Sequence, residues 1–189
     1  MLQAMKASRK CDLVDPLHIL KGDSVSLTIK GSTTSMSYIN EIRQLVGTRP
    51  LIMVGATLLI VNQQDQLLMI KRTDNGCWGV PGGAMEPGEK LEDAVKREAQ
   101  EEIGVDVKEI ELFGVYSGQD LYYKYPNGAE VYNVSVVYLT RGIDSSIHLN
   151  PGEHSKYHYF DIHHLPLEVS PPIKPILRDL TLAWQKRSK

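Results

Sequence analysis

Between Gly83 and Val105 a turn of glycine and proline runs into a helix whose acids stand at fixed spacing. The segment reads Gly83-Ala-Met-Glu-Pro-Gly-Glu89, then seven residues, then Arg97-Glu98-Ala-Gln-Glu101-Glu102-Ile-Gly104-Val105. Through residues 89–103 the apolar Leu91, Ala94, Val95 and Ile103 share one helical face, and Gly104 supplies a left-handed helix end. Glu98, Glu101 and Glu102 are related as i, i+3 and i+4, which aligns their carboxylates on one face. Like charges at those intervals repel, so the bare helix is destabilised by its own side chains. A cation in front of them reverses that effect, and oxygen donors select a hard ion such as Mg²⁺ or Mn²⁺. Taken alone, an acidic cluster is most often a solvated face. Its surroundings change the reading. Gly82 and Gly83 let backbone approach a ligand with a carbonyl free to coordinate, and Arg97 can bridge neighbouring carboxylates.

At every fixed position this block resembles the Nudix box, G-x5-E-x7-R-E-U-x-E-E-x-G-U with U aliphatic; Ala99, smaller than the usual Ile, Leu or Val, is a soft departure. The similarity extends to Trp78-Gly-Val-Pro81-Gly82-Gly83, to the preceding Lys71-Arg72 pair, and to Tyr159-Phe160-Asp161 through Leu165-Pro166. It covers residues 37–189. The resemblance implies an α/β (α+β) fold, a Nudix-type α/β/α sandwich whose mixed sheet is covered by helices on both sides. It also implies a hydrolase in which Glu98, Glu101, Glu102 and the Gly83 carbonyl hold Mg²⁺ or Mn²⁺, with Glu89 supporting the site through Arg97. Such ions neutralise a pyrophosphate and activate a bound water for in-line attack.

The same resemblance assigns catalysis to Glu101 as general base, with Glu98 and Arg97. Glu153, in the loop before the last strand, is the candidate base outside the block. Arg72 closes the strand that feeds the glycine loop and is the candidate phosphate contact, a surface arginine being the equal alternative. Trp78 reads as a packing residue first and a base-stacking group second, and Tyr122 and Tyr123 as strand residues that hint at a dinucleoside polyphosphate. His163-His164 reads as a turn, since no Cys or third His stands at ligand spacing.

The expected substrate is a small nucleoside-diphosphate derivative. The absence of a proline around Gln119, Asp120 and Leu121 favours a nucleoside triphosphate, oxidised or not, or a dinucleoside polyphosphate over ADP-ribose or a nucleotide sugar. The alternative is a non-catalytic nucleotide sensor, which predicts a missing box glutamate; every one is present here.

Elsewhere, Ser37 is placed to cap a helix carrying Ile39, Ile42, Leu45 and Val46, which Gly47 and Pro50 stop. Strands are expected at 51–61, 67–71, 107–116, 130–139 and 157–160, with Pro126-Asn127-Gly128 as a hairpin turn and 76–88 as a shaped loop with little strand of its own. An amphipathic helix carries Ile173, Ile176, Leu177, Leu180 and Trp184. Residues 1–36 read as an extension, an added leader or translation from a start upstream of Met36, with a docking or dimerisation arm as the second reading.

Of the 189 residues, Lys+Arg 21 against Asp+Glu 23 leave a net charge of −2, without the basic excess of a protein that lives on nucleic-acid backbone. Cys11 and Cys77 are too few for a disulfide framework. No run is long enough to span a bilayer, and no apolar stretch follows Lys6, Arg9 and Lys10 as a secretory signal requires. These features lead us to expect a cytoplasmic protein without membrane or stable nucleic-acid partners, with a homodimer possible in principle.

Overall fold

The structure is a computed structural model that describes residues 37–143 and 146–187. The expected extension at 1–36, with its strand-like Val25, Leu27 and Ile29, lies outside the described residues. In chain order the elements are α1 (Tyr38–Val46), β1 (Leu51–Val61), β2 (Gln66–Arg72), β3 (Trp78–Gly79), β4 (Gly82–Ala84), α2 (Leu91–Ile103), β5 (Glu111–Tyr116), β6 (Tyr122–Lys124), β7 (Glu130–Arg141), β8 (His154–Asp161) and α3 (Lys174–Arg187). Short 3₁₀ turns at Gln119–Leu121 and Pro171–Ile173 precede β6 and α3.

The sheet is mixed, in the order β3-β2-β1-β7-β5, with β4 added to β1, β6 to β7 and β8 to β2. At its centre β1 runs parallel to β7 over its whole length, Leu51 opposite Val131 through Val61 opposite Arg141. Alternation along β1 divides the core in two. Ala56, Leu58 and Ile60 join Ala94, Val95, Ala99 and Ile103 of α2 on one face. Leu59 and Val61 join Ile176, Leu177, Leu180 and Trp184 of α3 on the other. The sheet is thus covered on both faces, as expected. No helix of the described residues is long and apolar enough to cross a membrane.

Several boundaries differ from the sequence reading, each for a physical reason. Ser37 makes no side-chain cap; its carbonyl accepts from the N–H groups of Asn40 and Glu41 instead. No α1 residue is buried: Ile39, Ile42 and Val46 are half-buried and Leu45 stands 83% exposed, so the apolar stripe of that helix joins neither core cluster of the described residues. Helix α2 starts at Leu91, behind Lys90, because Glu89 is drawn out of the helix to meet Arg97 and the Glu86 N–H. The little strand in the glycine segment 76–88 is β3, two residues paired with β2, and β4, three residues paired with β1. Residues 107–110 precede β5 as a connection, although Val107 is buried. The expected hairpin turn is present, joining β6 to β7 through Gly128 N–H to the Tyr125 carbonyl.

The glycines of β4 are required by its tight seat on β1. A Cβ on Gly82, whose φ is +148°, would lie 2.8 Å from Thr57 Cα and closer still to the Ala56 carbonyl. Replacing Gly82 with Ala is therefore expected to lower the unfolding free energy by about 2–3 kcal/mol. The urea midpoint reads this directly, and an unchanged midpoint would show that β4 can move away from β1.

Candidate functional site

Three positions on one helix have three different environments, set by their register against the core. Glu102 follows Val95 by seven residues and Ala99 by three, so it falls on the buried stripe of α2. Its residue is 6% exposed and its Oε2 accepts the Gly82 N–H at 2.8 Å. Burial pushes its carboxyl up to about 8, against the pull of that hydrogen bond. Glu98 lies between core and solvent, and burial raises its carboxyl too, opposed by the Arg97 hydrogen bond. Glu101 is the exposed member, its side chain 58% accessible. The shared face expected from spacing is thus a gradient from dry to wet.

Arg97 holds the group together. Its Nε donates to Glu89 Oε1 at 2.8 Å, and its two terminal nitrogens donate to Glu98 Oε1 at 2.8 Å, Glu101 Oε2 at 3.0 Å, Glu89 Oε2 at 3.1 Å and the Ala84 carbonyl at 3.1 Å. One guanidinium therefore fixes three carboxylates and ties α2 to β4. Its own pKa is raised, chiefly by the Glu89 hydrogen bond, and Glu89 is lowered for the same reason. Gly83 faces this group closely: a Cβ there would meet the Glu98 carboxylate, with Cδ at 2.5 Å and Oε2 at 2.7 Å.

The second wall comes from β2 and β8. Alternation sends Leu68 and Ile70 into the α2-side core, and Arg72 follows them. Lys71 pairs with Lys156 but Arg72 with His154, so Ser155 is an extra residue and the strand bulges there. The bulge brings His154 to the α2 side, where Nε2 stands 3.7 Å from Glu102 Oε1. Backbone bonds lock this loop to its neighbours, Asn150 N–H to the Glu102 carbonyl and Thr73 N–H to the Glu153 carbonyl. Glu102, Glu153 and His154 each present a ligand-type atom within 4.8 Å of the others. Burial lowers the His154 pKa to about 4, with Arg72 acting in the same direction.

A cavity of ≈160 Å³ opens between these walls, with Glu102, Gly83, Arg72 and His154 at one side and Tyr123, Tyr125 and Ile173 among its other lining. Arg72 is oriented by Asp74, Nε to Oδ1 at 2.9 Å and Nη2 to Oδ2 at 2.7 Å, and its pKa is raised by that partner. Asn75 donates to the Tyr123 hydroxyl at 2.8 Å. Trp78 lies off the cavity, 8% exposed and edge-on to Phe160 at 4.9 Å, which is the packing role. His163 and His164 sit in the turn after β8 and bond Asp161.

The structure therefore brings Glu98, Glu101, Glu102, Arg97 and Gly83 together, with Arg72 and Glu153 beside them. His154, Asn75 and Tyr125 complete the walls and Asp74 orients Arg72; all four escaped the sequence reading. No spacing rule joins a residue at the head of β8 to α2; only the sheet pairing does.

The chain matches the family model described as the NUDIX domain over residues 51–180. It is 37% identical to the ADP-ribose pyrophosphatase of Methanocaldococcus jannaschii over 111 residues, 57% of this chain and 61% of that protein. It is 45% identical to a MutT-like protein of Streptomyces ambofaciens over 67 residues, 35% of this chain and 44% of that protein. The chain thus spans less than two thirds of the length of these curated relatives. The crystal structure of a MutT NUDIX hydrolase from Burkholderia pseudomallei is similar with a TM-score of 0.58 and 30% identity, covering 68% of this chain and 97% of that one. With the acidic helix, its glycine turn and the sheet between two helical layers all in register with the matched segment, the chain belongs to the NUDIX family.

Proposed function

We propose that the protein is a divalent-metal-dependent hydrolase that cleaves a pyrophosphate bond in a nucleoside-diphosphate-linked substrate and releases a nucleoside monophosphate. The observation that carries this reading is the convergence of Glu102 from α2 with Glu153 from the loop before β8, with Glu98 close enough to feel the Glu153 charge, beside a cavity bearing an oriented arginine. The residues fit a divalent ion. A carboxylate as dry as that of Glu102 needs a cation to stay ionised near neutral pH, and Gly83 leaves open the space a methyl would take from the Glu98 carboxylate.

A bound divalent ion supplies charge neutralisation for the pyrophosphate and a water of lowered pKa. Glu98 and Glu102, with the Gly83 carbonyl, are the oxygen donors that would hold it. Arg97 keeps the Glu98 rotamer and the Gly82 N–H holds that of Glu102. Glu101 reaches solvent while tethered to Arg97, which suits it to accept the proton of the attacking water; Glu153 is the alternative base. Arg72, aimed by Asp74, would contact a phosphate and orient it for in-line attack.

Within this class we favour a nucleoside triphosphate, oxidised or not, or a dinucleoside polyphosphate. ADP-ribose enters beside them through the relative that carries its name. The test is a panel of these compounds and nucleotide sugars incubated with Mg²⁺, products separated by chromatography, beside a Glu101→Gln, Glu102→Gln double variant. Consumption of one member that vanishes in the double variant is expected. If nothing is consumed with Mg²⁺ or Mn²⁺ while a nucleotide still raises the melting temperature, the hydrolase reading yields to a nucleotide sensor.

On the substrate so found, Arg72→Ala should raise KM roughly 10–100-fold, the worth of a hydrogen bond to a charged group, with a smaller effect on kcat. Asp74→Asn should move KM the same way by less, because the arginine remains but loses its aim. An unchanged KM in Arg72→Ala would make it a surface arginine.

A further inference from the structure

His154 has no assigned role, and its setting is unusual for a packing residue. It is 4% exposed, its Nδ1 has no hydrogen-bond partner among the described residues, and its Nε2 faces Glu102 Oε1 at 3.7 Å, too far for a hydrogen bond. A histidine that served the core would satisfy a ring nitrogen. A histidine that served as a partner for Glu102 would sit within about 3 Å of it. With donor atoms about 2.1 Å from a metal, two ligands of one ion stand about 3–4 Å apart, and this pair does. Glu153, the preceding residue, adds a carboxylate to the same group.

We propose that His154 is a nitrogen ligand in the metal centre, completing with Glu102 and Glu153 a mixed nitrogen–oxygen site. This rests on the metal-binding part of the proposed function and adds a consequence for metal choice. Divalent transition metals, even Mn²⁺ at the weak end of their series, accept an imidazole more readily than Mg²⁺, which prefers oxygen donors and ordered water. The site should therefore hold Mn²⁺ or Co²⁺ more tightly than Mg²⁺, by on the order of tenfold beyond what an all-oxygen site gives.

The remaining described histidines stand elsewhere: His148 bonds Ser146, His158 packs on Phe160, the His164 ring bonds Asp161, and His163 lies in the turn after β8, where its backbone N–H bonds Asp161. The test is pulsed electron paramagnetic resonance on the full chain loaded with Mn²⁺, which reads nitrogen coupling to the ion without any turnover. Wild type is expected to show imidazole coupling, and His154→Gln to bind Mn²⁺ with that coupling gone and with the Mn²⁺-over-Mg²⁺ preference reduced roughly tenfold. Bound Mn²⁺ without nitrogen coupling in the wild type overturns the proposal and leaves the hydrolase reading standing. Coupling that survives in His154→Gln overturns it equally. Failure of Mn²⁺ to bind removes both. Absence of nitrogen coupling in the wild-type spectrum overturns the proposal even should the variant fold poorly.

Discussion

Glu102→Gln is expected to lower kcat by on the order of 10³-fold, the largest effect of any single substitution in the site. The amide preserves shape and still accepts the Gly82 N–H through its carbonyl oxygen, but it carries no charge for a cation to answer. The same change should stabilise the metal-free protein at alkaline pH. The carboxyl of Glu102 rises from 4.5 to about 8 on folding, so its protonated form favours the native state. That contribution is complete below pH 4.5 and is lost as pH climbs to about 8. His154 is lowered from 6.5 to about 4, so its contribution is complete above pH 6.5 and is lost as pH falls toward 4.

From these two groups the opposed slopes cancel between pH 4.5 and 6.5, which leaves a net decline between 6.5 and 8. Thermal melts of the metal-free wild type should show that decline, and those of Glu102→Gln should lack it. Added Mg²⁺ should stabilise the wild type most near pH 8, where little proton release is required. A wild type that melts higher at pH 8 than at pH 6.5 without metal would contradict the buried position of Glu102.

Arg97→Lys is the second large effect, expected to cost roughly 10²-fold in kcat and to perform little better than Arg97→Ala. Chemical conservatism does not help, because the site uses the fork: one nitrogen spans Glu98 and Glu101, another spans Glu89 and the Ala84 carbonyl, and Nε takes the remaining Glu89 oxygen. An ammonium cannot reach these acceptors at once. Three carboxylates then lose their fixed rotamers, and misplacement of a ligand by about 1 Å is enough for a loss of this order. The measurement is kcat together with the metal affinity from calorimetry: both should fall. If Arg97→Lys retains wild-type metal affinity and kcat, the guanidinium is a surface brace and the carboxylates hold themselves.

The acidic helix was legible from sequence because its information is local: spacing alone ranks Glu98, Glu101 and Glu102 on adjoining stripes of one helix. Their burial was legible only in part. That Glu102 is dry follows from its place seven residues after Val95, but how dry depends on the sheet and on the loop before β8. The long strands β1 and β7 announced themselves, the first by its apolar run and the second by the alternation of Tyr132, Val134, Val136 and Tyr138. By contrast β3 and β4 are two and three residues long, and glycine-rich, so their strand character comes from β2 and β1 and not from their own side chains. Helix α1 shows the opposite failure, an apolar periodicity with no buried residue behind it. The loop singled out Glu153 and not its neighbour His154, because only the bulge opposite Lys71 and Arg72 turns the His154 ring to the α2 side.

The central claim is that α2 and the loop before β8 form a metal-dependent catalyst for pyrophosphate hydrolysis. Its most direct test follows nucleoside monophosphate release at saturating concentration of the best panel substrate, in three parallel reactions. These are wild type with Mg²⁺, wild type with excess chelator, and Glu102→Gln with Mg²⁺. Release in the first reaction alone, with the third slower by on the order of 10³-fold, is the predicted result. Wild-type rates in the presence of chelator, or an undiminished rate in Glu102→Gln, would contradict it.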